Sequence, residues 1–91
     1  MPLFTFVLEF DGGTYLSQVT APSSRAAPAI WARAHIPNPL PGFGPASNKK
    51  LAQELSESEP VAIAGLHATW CISATVRGKL ALVHFVQTDT V

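Results

Sequence analysis

The sequence predicts an α+β domain, an antiparallel sheet of about five strands with two helices in the order ββααβββ. Three observations carry that expectation. Residues 70–86 alternate apolar and polar side chains on both sides of Arg77-Gly78, the period of a half-buried strand that doubles back on itself. Residues 3–20 repeat the pattern around Asp11-Gly12-Gly13. Between the two ribbons, Ala27, Ile30, Trp31 and Ala34 recur at helical spacing, which marks a helix with one apolar face.

In the first ribbon Phe4, Phe6, Leu8 and Phe10 alternate with Thr5, Val7 and Glu9. Glycine accepts the positive φ of a tight hairpin loop, so Asp11-Gly12-Gly13 is the turn. Any even-length loop returns Tyr15, Ser17 and Val19 to the face of the phenylalanines, whereas a one-residue slip reverses them. Ala21-Pro22-Ser23-Ser24 then ends the strand and offers a hydroxyl to cap a helix that runs to about His35. Pro28 lacks a backbone donor and is tolerated only in the first turn, which moves the helix start towards it.

Residues 37–45 hold four prolines and two glycines, a stiff connector with Leu40 and Phe43 tucked in. A second helix runs from Ser47 to about Glu57, and its narrow stripe of Leu51 and Leu55 puts it on the surface. Pro60 stops it. Residues 61–64 read as a short strand, Gly65 as a turn or bulge, and residues 88–91 as a frayed tail. In the last ribbon a two-residue loop at Arg77-Gly78 pairs Val76 with Lys79, Ala74 with Ala81, Ile72 with Val83 and Trp70 with Phe85. One face is then Trp70, Ile72, Ala74, Val76, Ala81, Val83 and Phe85. The other carries Cys71, Ser73, Thr75, Leu82 and His84. The apolar faces of both ribbons are expected under the first helix.

The chain has 91 residues, 47% of them apolar and 13% charged, which suits one domain over residues 1–91 with a proper core. Six basic residues balance six acidic ones, so the basic excess of a non-specific nucleic-acid binder is missing. Low surface charge favours self-association, and a homodimer is expected. Cys71 is the single cysteine. It forms no internal disulfide and no zinc ligand set, which fits a reducing, cytoplasmic setting. The N-terminus has no basic region and Glu9 interrupts its apolar run, unlike a signal peptide. No apolar stretch approaches the ~20 residues of a membrane helix. No cofactor motif and no metal ligand set is visible.

Two local arrangements bear on chemistry. The pairing that builds the apolar face also sets Cys71 directly opposite His84, and a thiol beside an imidazole can become a thiolate nucleophile. Catalysis would need an orienting group and a cleft besides, and the hairpin pairing supplies no carboxylate. The second arrangement is the start of the second helix. Ser47, Lys49 and Lys50 give a helix N-terminus that favours an anion, although Asn48 before the lysines breaks the P-loop pattern. Glu54, Glu57 and Glu59 at the other end charge this helix against its dipole. Arg25, Arg33, Arg77 and Lys79 add basic groups, but Trp70 and Phe85 face the core, so no stacking platform for bases accompanies them. His67 in a turn and His35 at a helix end suggest no metal site.

The segments Phe6-Val7-Leu8-Glu9, Gly12-Gly13-Thr14-Tyr15, Ser17-Gln18-Val19 and Ser24-Arg25-Ala26-Ala27 follow one another as strand, glycine turn, strand and alanine-rich helix entry. In this the first third of the chain resembles HicB-type antitoxins. Pro39-Leu40-Pro41-Gly42 echoes a motif that the family places earlier, after its second strand. The resemblance implies an antitoxin-like protein, and small size, low charge and missing catalytic sets fit an antitoxin-like or immunity-like neutraliser that occludes a protein partner.

The sequence thus points to a non-enzymatic protein-binding module, with Ser47, Lys49, Lys50, Cys71, Ser73, Thr75 and His84 as candidate binding residues. A small enzyme using Cys71 and His84, and an anion or nucleic-acid binding module, are the alternatives.

Overall fold

A computed structural model describes residues 1–34 and 45–88. The elements are β1 (Leu3–Phe10), β2 (Gly13–Thr20), α1 (Ala27–Ala34), α2 (Pro45–Glu57), β3 (Val61–Ala62), β4 (Thr69–Val76) and β5 (Lys79–Thr88). The strands form one antiparallel sheet in the order β2-β1-β5-β4-β3. This is the expected α+β class.

Two tight turns fix the register. Asp11 and Gly12 have φ of 50° and 81°, Arg77 and Gly78 of 54° and 76°. Positive φ at both central residues is the type I′ turn, whose twist matches that of the strands it joins. The loops are therefore two residues long, closing on Phe10 and Gly13 in one hairpin and on Val76 and Lys79 in the other. All four pairs read from the sequence in the last hairpin are present. In the first, Gly13 belongs to β2 and not to the turn.

The two hairpins join through β1 and β5, with Phe6 opposite Phe85 and Leu8 opposite Val83. That pairing brings both turns to one end of the sheet. There Lys79 Nζ meets Asp11 Oδ1 at 2.9 Å. The pair is exposed, so it contributes at most about 1 kcal/mol.

One sheet face is the core. Phe4, Phe6, Leu8, Val76, Val83 and Phe85 are buried there under Trp31, Leu51 and Leu55 of the helices. Four rings stack in sequence across three strands and α1. Centroids lie 4.8 Å apart from Trp31 to Phe6, 4.7 Å from Phe6 to Phe85 and 5.3 Å from Phe85 to Trp70. Phe4 meets Phe85 and Trp70 edge-on. Trp31 Nε1 donates to Ser17 Oγ at 2.7 Å, so the indole donor stays satisfied inside the core.

Both helices cover this face, α1 against β2 and α2 against β4, and they pack on each other. The expectation that the first helix alone lies over both hairpins is thereby corrected. Five strands span about 24 Å, and a helix with its side chains is only about 10–12 Å wide. For the same reason α2 is not a peripheral surface helix: Leu51 and Leu55 are fully buried and Ala52 nearly so. It starts at Pro45, two residues before the expected Ser47, with proline where its missing donor costs nothing. At α1 the capping hydroxyl is that of Ser23, which accepts from Ala26 N at 3.2 Å. Pro28 then falls in the first turn.

The strand expected over residues 61–64 shortens to Val61–Ala62. The chain leaves the ladder after Ile63 N donates to Thr69 O, and Gly65 and Ala68 turn it with φ of 82° and 51°. Thr88 is not part of a frayed tail. It closes β5 opposite Leu3, and its hydroxyl pairs with that of Thr5. The connector at residues 37–44, with Leu40 and Phe43, together with His35 and residues 89–91, lies outside the described residues.

The ring stack yields a direct test. Trp31→Ala removes both the stack on Phe6 and the partner of Ser17, and is expected to cost about 3–5 kcal/mol. Trp31→Phe keeps an aromatic over Phe6 and should cost clearly less. Urea titration followed by circular dichroism measures both.

Candidate functional site

Side chains that alternate away from the core form the second face of the sheet, and among the described residues no helix covers it. The register arranges them in rows. One row runs Leu16, Val7, His84, Cys71, Val61 across all five strands. On one side of it lie Gln18, Thr5, Val86 and Thr69, on the other Thr14, Glu9, Leu82 and Ser73. Leu80 and Thr75 sit beyond, opposite each other.

The face is apolar to an extent that solvent-facing strands usually avoid. Leu16 is 66% exposed, Val61 62%, Leu80 60% and Val86 38%. Leu3, Val7 and Leu82 are half-buried between them. The polar groups are mainly hydroxyls and amides, partly tied to one another: Gln18 Nε2 donates to Thr5 Oγ1 at 2.9 Å. Within these rows Glu9 is the only carboxylate, and no lysine or arginine is present.

Cys71 and His84 are directly opposed, as the two-residue turn requires. Ladder alternation makes theirs a pair without mutual backbone hydrogen bonds, the type that brings side chains closest. Both are half-buried. Glu9 lies on β1 opposite Leu82, one diagonal step from His84, and is exposed. Among the described residues no three His, Cys, Asp or Glu side chains stand close enough to hold a metal ion. A depression of about 210 Å³ beside Cys71 is lined by Ser58, Glu59, Val61, Ile72, Ser73 and Leu82, without His84. Thiol and imidazole thus share a row but not a cleft.

The candidate binding residues fall into two groups that the fold keeps apart. Cys71, Ser73, Thr75 and His84 lie on the open face. Ser47, Lys49 and Lys50 lie on α2, in the layer on the other side of the sheet. Ser47 is half-buried within the first turn of α2 and does not head it. Lys50 Nζ approaches Glu54 Oε2 at 3.9 Å. Lys49 borders a separate groove of about 530 Å³ between the helices, with Arg33, Asn48, Gln53 and Ser56. Charges that run against the α2 dipole are partly answered in this way, and Glu59 is paired with Arg25 at 3.0 Å. Trp70 packs its ring on Phe85, and His67 is exposed in a turn whose Thr69 hydroxyl donates to His67 O.

Sequence reading missed the apolar content of the open face. Val7 and Leu16 join the Cys71–His84 row only because β1 pairs with β5, and no local signal in the chain announces that pairing. Leu80 and Val86 alternate correctly with their neighbours, and their parity with Leu82 and His84 was the available signal.

Among the described residues no helix is long and apolar enough to cross a membrane. No family model, curated protein or solved structure matches the chain.

If Cys71 serves packing in an apolar row between Val61 and His84, then Cys71→Val holds or raises stability by up to about 1 kcal/mol, because a β-branched side chain suits a strand position. Thermal denaturation measures it. A loss above about 2 kcal/mol would show that the thiol makes a polar contact of its own.

Proposed function

We propose that this chain is a non-enzymatic protein-binding module, and that its docking surface is the open face of the sheet. The observation that carries this reading is the uncovered row of Leu16, Val7, His84, Cys71 and Val61 with Leu80, Leu82 and Val86 around it. Eight residues at about 3.3 Å by four long strands at about 4.8 Å give a face of about 500 Å² in projection, polar and apolar groups together. That compares with the roughly 800 Å² per partner of a standard interface. Exposed apolar side chains gathered on one face in this way mark an interaction site more often than a solvated surface.

The partner's chemistry follows from charge. A face with one carboxylate and no lysine or arginine gives a polyanion nothing to bind, and it gives a cationic partner little more. It suits a neutral, apolar protein surface with hydroxyls at the rim. Occlusion of such a surface is how an antitoxin-like or immunity-like neutraliser works. The likeness of the first third of the chain to HicB-type antitoxins supports that form, and a cytoplasmic setting agrees with the lone thiol.

The test uses the full chain and Val86→Lys, which puts a charge near the middle of the face at a partly exposed site. A partner captured from native lysate is purified and recombined with each form. Support is a stoichiometric complex that Val86→Lys weakens by about tenfold or more, about 1.4 kcal/mol, and that is little changed between low and high salt. A partner indifferent to Val86→Lys, or none above a blank matrix, refutes the face as a docking surface. Binding that collapses with salt would instead indicate an anion or nucleic-acid ligand.

A further inference from the structure

The two edges of the sheet are not alike. On one side β3 covers β4 for only two residues, Val61 and Ala62, with Pro60 ahead of them. Beyond β3 the edge of β4 is met by α2: Glu54 Oε1 accepts the backbone N–H of Thr75 at 3.4 Å. A short last strand, a proline and an inserted carboxylate are familiar means of stopping strands from pairing further.

The other edge is β2, Gly13–Thr20, and among the described residues it has none of these devices. It runs for eight residues, GTYLSQVT, without charge, proline or bulge. The two-residue turn makes Phe10 and Gly13 the first hydrogen-bonded pair of the hairpin. Alternation then commits the backbone groups of Tyr15, Ser17 and Val19 to β1 and turns those of Thr14, Leu16, Gln18 and Thr20 outward. All four of these residues are exposed.

We propose that β2 pairs antiparallel with β2 of a second copy of this chain, about a two-fold axis at Leu16. In this register Leu16 lies opposite its own copy, and Thr14 opposite Gln18 of the other protomer. Each of these pairs exchanges two backbone bonds, about six in all. The exposed Leu16 side chain covers its mate on the open face. Three features favour a second copy over a foreign strand. An isologous contact sets each residue near the axis against its own kind, so any charge there would repel itself, and β2 carries none. The chain's net charge is zero, so no long-range repulsion opposes association. Each copy spends its unguarded edge in the contact, which leaves only the guarded β3–β4 edges outside, so assembly closes at two. The result is a ten-stranded sheet whose two open faces run on as one surface. This inference does not need the open face to bind anything, and of that face it uses only Leu16 at the outer edge.

Sedimentation velocity over a concentration series to about 0.5 mM, together with amide exchange, tests it, since a contact of one strand pair is small and expected to be weak. The unmodified chain should reach twice its monomer mass reversibly. Exchange at Thr14, Leu16 and Gln18 should slow as concentration rises, a readout that needs no variant. Leu16→Lys places like charges on the axis, and Leu16→Pro deletes an outward N–H that the hairpin does not use. Each should weaken association by about tenfold or more while keeping the circular dichroism spectrum. A chain monomeric throughout, species larger than dimers, or a dimer indifferent to Leu16→Lys overturns the proposal. So does protection confined to Ser73 or to the rows around His84. Leu16 also belongs to the row proposed for docking, so capture of a different protein is read from the unmodified chain and from Val86→Lys, on β5 and outside this contact.

Discussion

The stack of Trp31, Phe6, Phe85 and Trp70 is the interaction on which the rest of the molecule depends. It is continuous from α1 through β1 and β5 to β4, so it ties one helix and both hairpins into a single unit. Each ring contributes a large buried area, and offset stacking adds to it. The geometry exists only if Phe6 stands opposite Phe85, that is, only in one register of β1 against β5. A slip of one residue would replace Phe6 by Thr5 or Val7 in the core and turn the whole strand inside out. Register, core and open face are therefore one decision.

That decision also explains why the second face looks as it does. Among the described residues both helices lie on one side of the sheet, and the width of five strands takes both of them to cover it. Whatever alternates outward stays outward. Exposed hydroxyls such as those of Thr14, Ser73 and Thr75 meet solvent at little cost, but Leu16, Leu80 and Val61 do not. Their presence on strands whose other parity is so consistently apolar gives the described residues two unlike surfaces, one closed by α1 and α2 and one with apolar side chains in the open.

The central hairpin was almost fully legible because its information is local. Arg77-Gly78 flanked by alternating residues sets turn type, loop length and four cross-strand pairs at once, and with them the opposition of Cys71 and His84. The first hairpin was legible for the same reason, to within one glycine. What the sequence could not show were relations between distant segments. The pairing of β1 with β5 spans most of the chain, and on it rest the company of Val7 beside His84 and the diagonal approach of Glu9. The division of the core between α1 and α2 was missed because Leu51 and Leu55 alone look like a sparse stripe. Their burial depends on the width of the sheet beneath, which no window of the sequence contains. The anion-binding reading of Ser47, Lys49 and Lys50 rested on a helix starting at Ser47, and Pro45 moves that start by half a turn.

Placing β5 between β1 and β4 has a bearing on how the chain is made. The strand at the centre of the sheet is the last one to be synthesised. The first hairpin and α1 leave the ribosome with their aromatic rings still lacking Phe85 to lie against. Residues 79–88 then fold back on β4 and join it to the β1–β2 hairpin. Such long loop closure slows folding, and a nascent chain halted before residue 79 lacks the Phe85 ring that covers Phe4 and one side of Phe6.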